Sequence, residues 1–264
     1  MSKVFQAGLF HDKVAFFAGG SSGINLAIAE RFAELGATVC IVSRSADKVQ
    51  AAVAGIVQRG GKAFGQAADV RDYAAVDAAL AAAADRAGPI DFLVSGAAGN
   101  FVARALDMSA NAFKTVVDID LLGTFNVLRA AHARLRRPGA SIINISAGQS
   151  FMPMKGQAHV GAAKAGVDML TRNLAVEWGG DGVRINSIVP GPIEDTEGMR
   201  RLSSEPKLEA MFKRLIPLQR YGTKDEIAEL AAFLCSPAAS YISGAVVVCD
   251  GGQSLLGSGG FMPG

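Results

Sequence analysis

The sequence lacks the features that mark secreted, membrane-spanning and metal-containing proteins. It has three cysteines without Cys-x-x-Cys spacing, so we interpret Cys40, Cys235 and Cys249 as reduced core residues. No apolar run approaches the length of a membrane span, and residues 1–13 do not resemble a signal peptide. No group of histidine, cysteine and aspartate has metal-ligand spacing. These absences predict a soluble, cytoplasmic protein that binds no metal.

An excess of charge of one sign is also absent. Lysine and arginine number 26 against 24 acidic residues, a net charge of +2, which is too small for nucleic acid or an anionic membrane as the main partner. We therefore expect a small-molecule partner and only local anion binding. Half of the 264 residues are hydrophobic, enough for a sizeable core, and we predict one domain over residues 1–264.

Short apolar segments rich in β-branched residues alternate with helical stretches along the chain. Strands that alternate with helices require crossover connections, which produce a parallel sheet with helices on both faces. The sequence thus predicts an α/β fold with a Rossmann-like, doubly wound parallel sheet, and the alanine-rich Ala74–Arg86 is expected to be one crossover helix. The predicted strands are Val14–Ala18, Thr38–Ser43, Phe92–Ser95, Ser141–Ile145, Val183–Val189 and Ala245–Cys249.

A glycine-rich turn, Gly19–Gly23, follows the first of these strands. Glycine admits positive φ and lets backbone N–H groups approach a ligand, and the next helix directs its positive N-terminus at the same turn. The segment predicts a phosphate site, with a plain strand-to-helix turn as the alternative.

The second strand ends at Ser43 and Arg44, without a carboxylate for a free ribose 2′-hydroxyl. Arginine there suits a 2′-phosphate, and the hydroxyls of Ser21 and Ser43 can donate to phosphate oxygens. NADP(H) is therefore the expected cofactor. The alternative is that Arg44 is only a solvated charge.

Further motifs are spread over almost the whole chain: Ala68-Asp69-Val70, Ser95-Gly-Ala-Ala, Lys164, Arg184-Ile-Asn186-Ser, Pro190-Gly191 and Asp250-Gly251-Gly252. With the glycine turn, they resemble the motifs of the short-chain dehydrogenase/reductase family. Asn25 departs from the family's usual glycine, and we expect it to be tolerated because asparagine adopts left-handed conformations better than most residues. The resemblance implies a nicotinamide cofactor held by Gly19, Ser21, Ser22, Gly23, Ile24, Ser43, Arg44, Asp69, Val70, Ala97, Lys164, Pro190, Gly191 and Ile193.

Two polar residues that this family normally uses in catalysis are absent. The tyrosine expected four residues before Lys164 is replaced by Val160, and the serine expected after Ser141–Ile145 is replaced by Ala147. In the family, a lysine one helical turn from the tyrosine lowers the pKa of its phenol. Because the tyrosine is absent here, alcohol/ketone interconversion is disfavoured. One interpretation is an inactive site that only binds nucleotide; the other is a different acid beside Lys164.

Asp120 is the candidate for that acid. On a helix through this region, Phe113, Val117, Asp120 and Thr124 fall on one stripe, which turns the carboxylate inward. A buried carboxylate needs a partner, and Lys164 is the obvious one. A desolvated carboxyl beside an ammonium can titrate usefully as an acid.

A narrower resemblance rests on Ala97–Phe101, Ile119–Phe125, Gln157–Gly166, Leu174–Gly179 and Pro190–Gly198. These stretches resemble the peroxisomal type of 2,4-dienoyl-CoA reductase, a branch of the same family. The resemblance implies NADPH-dependent reduction of a dienoyl-CoA, with Asp120 and Lys164 as catalytic residues that supply the proton. It places Asn100, Phe101 and His159 at the substrate. It also implies a homotetramer built on helices such as 111–135 and 161–178.

Simpler interpretations stay open for the substrate residues: core packing for Phe101, a turn cap for Asn100 and a partly exposed helix start for His159. Two other functions also stay open, a reductase of another enoyl or keto substrate and a protein that binds NADP(H) without catalysis. Residues 194–215 are the expected substrate loop. The glycine-rich residues 255–264 either move freely or dock on a neighbouring subunit, and their ending is unlike a Ser-Lys-Leu address.

Overall fold

A single parallel sheet forms the centre of the computed structural model, which describes residues 5–196 and 206–256. Its strand order is β3-β2-β1-β4-β5-β6-β7, and every neighbouring pair is parallel. The predicted doubly wound parallel sheet is therefore confirmed. The strands are β1 Val14–Ala18, β2 Thr38–Ser43, β3 Lys62–Ala67, β4 Phe92–Ser95, β5 Ser141–Ile145, β6 Arg184–Pro190 and β7 Val246–Cys249.

Four predicted strands agree with β1, β2, β4 and β5 in both bounds, and the last two differ by one residue at one or both ends. The strand β3 was not predicted. It pairs only with β2 at the edge of the sheet, and most of its residues are exposed. An exposed edge strand carries no apolar run, so its sequence has no burial pattern to recognise.

Helices cover both faces of the sheet. The buried residues of α1, α2 and α8 form one core cluster with one face, and those of α3, α5 and α6 form another with the opposite face. The predicted crossover helix is confirmed as α3. The helices are α1 Gly23–Glu34, α2 Ala46–Gln58, α3 Tyr73–Ala87, α4 Ala110–Val117, α5 Gly123–Ala131, α6 Ala158–Trp178, α7 Pro206–Arg214 and α8 Lys224–Cys235.

A π-helical turn, Asp118–Leu122, joins α4 to α5. Its extra residue rotates the positions before it relative to a regular α-helix. Asp120 and Thr124 are buried, as expected, but Phe113 is 38% exposed, and Val116 is the buried residue of α4. The predicted inward stripe is thus wrong at Phe113 because a regular helical period was assumed.

The expected substrate loop, residues 194–215, lies partly outside the described residues, and α7 occupies much of its second half. The tail from residue 257 onward lies outside them as well. No helix in the part of the chain that the structure describes is long and apolar enough to cross a membrane. The strand order reverses between β1 and β4, and ligands of doubly wound sheets bind at the carboxyl ends of the strands beside such a reversal.

Candidate active site

The glycine turn lies at that reversal, at the carboxyl end of β1. Gly19 and Gly23 have φ values of 84° and 61°, which favour glycine. A Cβ at Gly19 would lie 2.6 Å from the backbone nitrogen of Ala97, so the turn packs directly on the segment that follows β4. Ser22, the residue that begins α1, makes no side-chain capping bond. The first N–H groups of the helix therefore stay available to a phosphate.

A cavity of about 320 Å³ opens above this turn. The carboxyl ends of the first four strands all contribute to its wall, so it offers donors for the adenine and pyrophosphate portions of a dinucleotide. Its lining residues are Gly19, Ser21, Ser22, Asn25, Ser43, Arg44, Ser45, Lys48, Ala68, Asp69, Val70, Gly96, Ala97, Ala98 and Ile119.

Some predicted cofactor residues lie outside this lining. Gly23 and Ile24 form the first turn of α1, and Pro190 and Gly191 end β6 or follow it. Ile193 is 3% exposed and packs in the core. The structure therefore groups the residues predicted for the adenine and pyrophosphate, and it leaves the nicotinamide-side residues in a separate loop.

Charges at the adenine end of the cavity are arranged around Arg44. Asp69 accepts a bidentate hydrogen bond from Arg71, with Nε donating to Oδ1 and Nη2 to Oδ2, and this holds the pKa of Asp69 below its usual value. Arg44 is exposed and makes no ion pair with the described residues. Lys48, on the first turn of α2, lines the same cavity; it was not predicted because a helix-surface lysine carries no distinguishing pattern.

Asp120 and Lys164 lie together, and both are almost completely buried. Lys164 Nζ lies 3.3 Å from Asp120 Oδ2 and donates a hydrogen bond to the carbonyl of Ile145 at 2.9 Å. Asp120 Oδ1 accepts from the backbone N–H of Gly99 at 2.7 Å. Asp120 Oδ2 accepts no hydrogen bond from the described residues. The pair is thus held by the Ile145 carbonyl, by the Gly99 N–H and by the contact between the two side chains. Asp120 Oδ2 is left for a further ligand.

Val160 occupies the position of the family tyrosine, one helical turn before Lys164. It is 3% exposed and packs with Val116 and Ala163 in a small apolar cluster. Neither this cluster nor Ala147 after β5 offers a hydroxyl. Apart from the lysine, the usual carbonyl-reducing groups are therefore replaced by hydrocarbon.

His159 lies against Phe101, with ring centroids 4.3 Å apart. It is the second residue of its helix, so the interpretation as a helix-start residue is right, but the residue is fully buried and the expected partial exposure is wrong. Neither ring nitrogen has a hydrogen-bond partner among the described residues. Burial lowers the pKa of His159, against the opposing effects of the Phe101 backbone and the Asp120 charge. Its ring is therefore neutral near pH 7, with one donor and one acceptor nitrogen.

Gln157 supports the same cluster, although the sequence did not predict it. Its Nε2 donates to the carbonyl of Phe101 at 2.9 Å, which anchors the loop that carries this ring. Asn100 is exposed and makes no hydrogen bond with the described residues, so the simpler interpretation of Asn100 as a turn cap is not supported. The structure thus brings Phe101 and His159 together and leaves Asn100 at the rim.

Asn25 does not adopt the expected left-handed conformation. It lies in the first turn of the α1 helix, and it is absent from the described non-glycine residues with positive φ. Its side chain instead donates hydrogen bonds to the carbonyls of Gly96 and Gly19. The departure from glycine therefore changes contacts and not backbone conformation.

The sequence matches a family model described as enoyl-(acyl carrier protein) reductase over residues 18–254. A short-chain dehydrogenase/reductase from Serratia marcescens superimposes with a TM-score of 0.86 at 31% identity, over 93% of this chain and 99% of that one. The chain belongs to the short-chain dehydrogenase/reductase family. This membership confirms the resemblance first drawn from the motifs.

Two relatives within this family are still more similar in sequence. The peroxisomal 2,4-dienoyl-CoA reductase of Rattus norvegicus is 50% identical over 95% of this chain and 86% of its own length. The peroxisomal 2,4-dienoyl-CoA reductase of Saccharomyces cerevisiae is 43% identical over 96% and 88%. Because both relatives are named as peroxisomal, a cytoplasmic location for this short-chain dehydrogenase/reductase stays a prediction.

Within residues 5–196 and 206–256, no three His, Cys, Asp or Glu side chains form a group that could hold a metal.

Proposed function

We propose that this protein reduces 2,4-dienoyl-CoA thioesters with NADPH. The observation that carries the proposal is the buried pair of Asp120 and Lys164, which lies beside an apolar Val160 where the family has its tyrosine. The names of the rat and yeast relatives agree with this activity. A carbonyl reductase would need an acid for an alcohol oxygen, whereas a dienoyl reductase must protonate carbon.

The residues around the cavity fit a nicotinamide dinucleotide, since the glycine turn, the uncapped start of α1 and Arg44 match a pyrophosphate and a 2′-phosphate. Bound NADPH supplies a hydride. Lys164 Nζ donates one hydrogen bond to the Ile145 carbonyl and lies 3.3 Å from Asp120 Oδ2. We assign one of its other N–H groups to the nicotinamide ribose.

Asp120 supplies the proton in this proposal. Hydride addition to the far carbon of the conjugated thioester sends a pair of electrons through the diene to the thioester oxygen, and the dienolate then takes a proton on carbon. A water held with Lys164 gives its proton to the carbon and takes one from the protonated Asp120 Oδ2, which accepts no hydrogen bond from the described residues. The Asp120 carboxylate that results is neutralised by the Lys164 ammonium. We assign Phe101 and the exposed Asn100 to the acyl chain. The neutral His159 ring is fully buried against Phe101, so its hydrogen bond to the thioester oxygen requires that the substrate displaces the Phe101 side chain.

The decisive assay follows loss of absorbance at 340 nm with NADPH and trans,trans-2,4-hexadienoyl-CoA. Turnover supports the proposal, and longer dienoyl chains define the acyl preference. Turnover of enoyl or keto substrates without any dienoyl turnover would instead identify a different reductase. Tight NADPH binding without turnover of any of these compounds would identify a cofactor-binding protein.

Preference for NADPH over NADH is assigned to Arg44. Replacing Arg44 by alanine removes a charge-assisted contact to the 2′-phosphate, so we expect the KM for NADPH to rise roughly 10- to 100-fold while that for NADH changes little. The matched control is Arg59→Ala, which removes an exposed arginine that pairs with Glu30 away from the cavity. Equal effects of Arg44→Ala on both cofactors would exclude this role.

We also propose a homotetramer. The helices α4 to α6 and the π turn expose large apolar side chains, and exposed apolar patches of this kind mark interaction surfaces. Light scattering should give a mass about four times the 27.2 kDa of the chain, and the mass of a single chain would contradict the proposal. The side chains are Phe113, Leu122, Phe125, Met169 and Val176.

A further inference from the structure

We propose that Asn25 is a positioning residue that couples the cofactor turn to the segment that holds Asp120. The coupling to Asp120 rests on the proposed function, whereas the effect on cofactor binding does not. Asn25 itself takes no part in hydride or proton transfer. It acts through the two backbone segments that its amide joins.

The amide of Asn25 bridges two loops that are distant in sequence. Its Nδ2 donates to the carbonyl of Gly96 at 2.8 Å and to that of Gly19 at 3.3 Å. Gly19 belongs to the phosphate turn, and Gly96 begins the segment after β4. A Cβ at Gly96 would lie 2.4 Å from the Asn25 amide atoms, so this side chain fills the contact between the two loops.

The bridged segment leads directly to the proton donor. Three residues after Gly96, the N–H of Gly99 donates to Asp120 Oδ1, and Asp120 Oδ2 faces Lys164. A shift of the segment therefore moves both the wall of the cofactor cavity at Ala97 and the carboxylate that supplies the proton. Asn25 ties the position of the cofactor to the position of the acid.

The other amide atom of Asn25 points to the same role. Oδ1 is buried without a hydrogen-bond partner among the described residues, and Asn25 lines the cofactor cavity. A buried acceptor without a donor is costly. A water or hydroxyl that arrives with the cofactor would satisfy it, so the bridge becomes complete when the cofactor binds.

The test replaces Asn25 by glycine, the usual family residue, and by serine, which keeps a donor but has a shorter reach. We expect the dissociation constant of NADPH, measured by fluorescence titration, to rise about 3- to 10-fold, as for the loss of one or two hydrogen bonds. With an active enzyme, the primary isotope effect from deuterated NADPH and the solvent isotope effect should both change, because hydride and proton transfer lose their common alignment.

Asn186→Ser is the matched control. Asn186 is a buried asparagine near the amino end of β6. Its amide donates to the carbonyl of Ile242 and accepts from the N–H of Ala245. Its loss should lower the melting temperature without changing the NADPH dissociation constant or the isotope effects. If the Asn25 variants are folded and behave like this control, the positioning role is excluded.

A double-mutant cycle on cofactor binding decides the coupling without any turnover. Asp120→Ala, which removes the acceptor of the Gly99 N–H, is combined with Asn25→Gly, and the NADPH dissociation constant is measured for all four proteins. We expect the double variant to bind at least about 3-fold more tightly than the product of the two single effects predicts. Simple multiplication of the effects would overturn the coupling, even if the protein proved inactive toward dienoyl-CoA.

Discussion

Replacing Asp120 by asparagine is expected to slow dienoyl-CoA reduction roughly 10²- to 10⁴-fold, the usual contribution of a general acid. Asparagine has almost the same shape, and its Oδ1 can still accept the hydrogen bond from Gly99 that Asp120 accepts at 2.7 Å. It cannot give up a proton to the dienolate. The loss should therefore appear in kcat, while NADPH binding weakens only a few-fold. Steady-state loss of absorbance at 340 nm with saturating substrates measures this kcat.

Asp118 provides a control on the same π turn. It lies two residues before Asp120, its side chain is 25% exposed, and it pairs with Lys114 at the helix surface. Asp118→Asn changes charge and shape in the same way outside the site, so its kcat should stay within about twofold of the wild type, as for other exposed ion pairs. A similar loss of kcat in Asp118→Asn and Asp120→Asn would show that the rate depends on the structure of the π turn and not on a proton from Asp120.

The fold was largely predictable because most of its strands are buried on both faces. Continuous apolar runs such as Val14–Ala18 are recognisable as buried strands, whereas β3 is exposed and has no such run. The inward direction of Asp120 also followed from helical spacing. The π turn around it did not, since a local change of helical period leaves no mark in composition, and the error at Phe113 follows from it.

Parts of the site depend on contacts between distant segments, which a single sequence does not contain. The buried ring of His159 packs against Phe101, which lies 58 positions earlier in the sequence. The bridge from Asn25 to Gly96 spans a sequence separation of 71. The sequence shows that asparagine replaces glycine at position 25, but it does not show the hydrogen bonds of this side chain. Only the local backbone preference of asparagine could be interpreted from the sequence.

Replacing Lys164 by methionine is expected to reduce kcat roughly 10²- to 10³-fold and to raise the KM for NADPH, since one side chain orients both the proton donor and the ribose. The change also leaves the 1%-exposed carboxylate of Asp120 without its cation. Removing one partner of a buried ion pair typically destabilises a protein by about 3–5 kcal/mol. Urea denaturation should detect this loss. Lys114→Met, which removes a 68%-exposed lysine, is the control and should leave kcat, the KM for NADPH and the stability unchanged.

Combining Lys164→Met with Asp120→Asn separates stability from catalysis. The double variant has no buried charge left unpaired, so most of the stability lost in Lys164→Met should return, while the rate stays at the level of the slower single variant. Non-additive losses of this kind are expected of groups that act as a unit. Recovery of the rate together with stability would mean that the pair serves the fold alone. Recovery of stability without rate is the result that a catalytic pair requires.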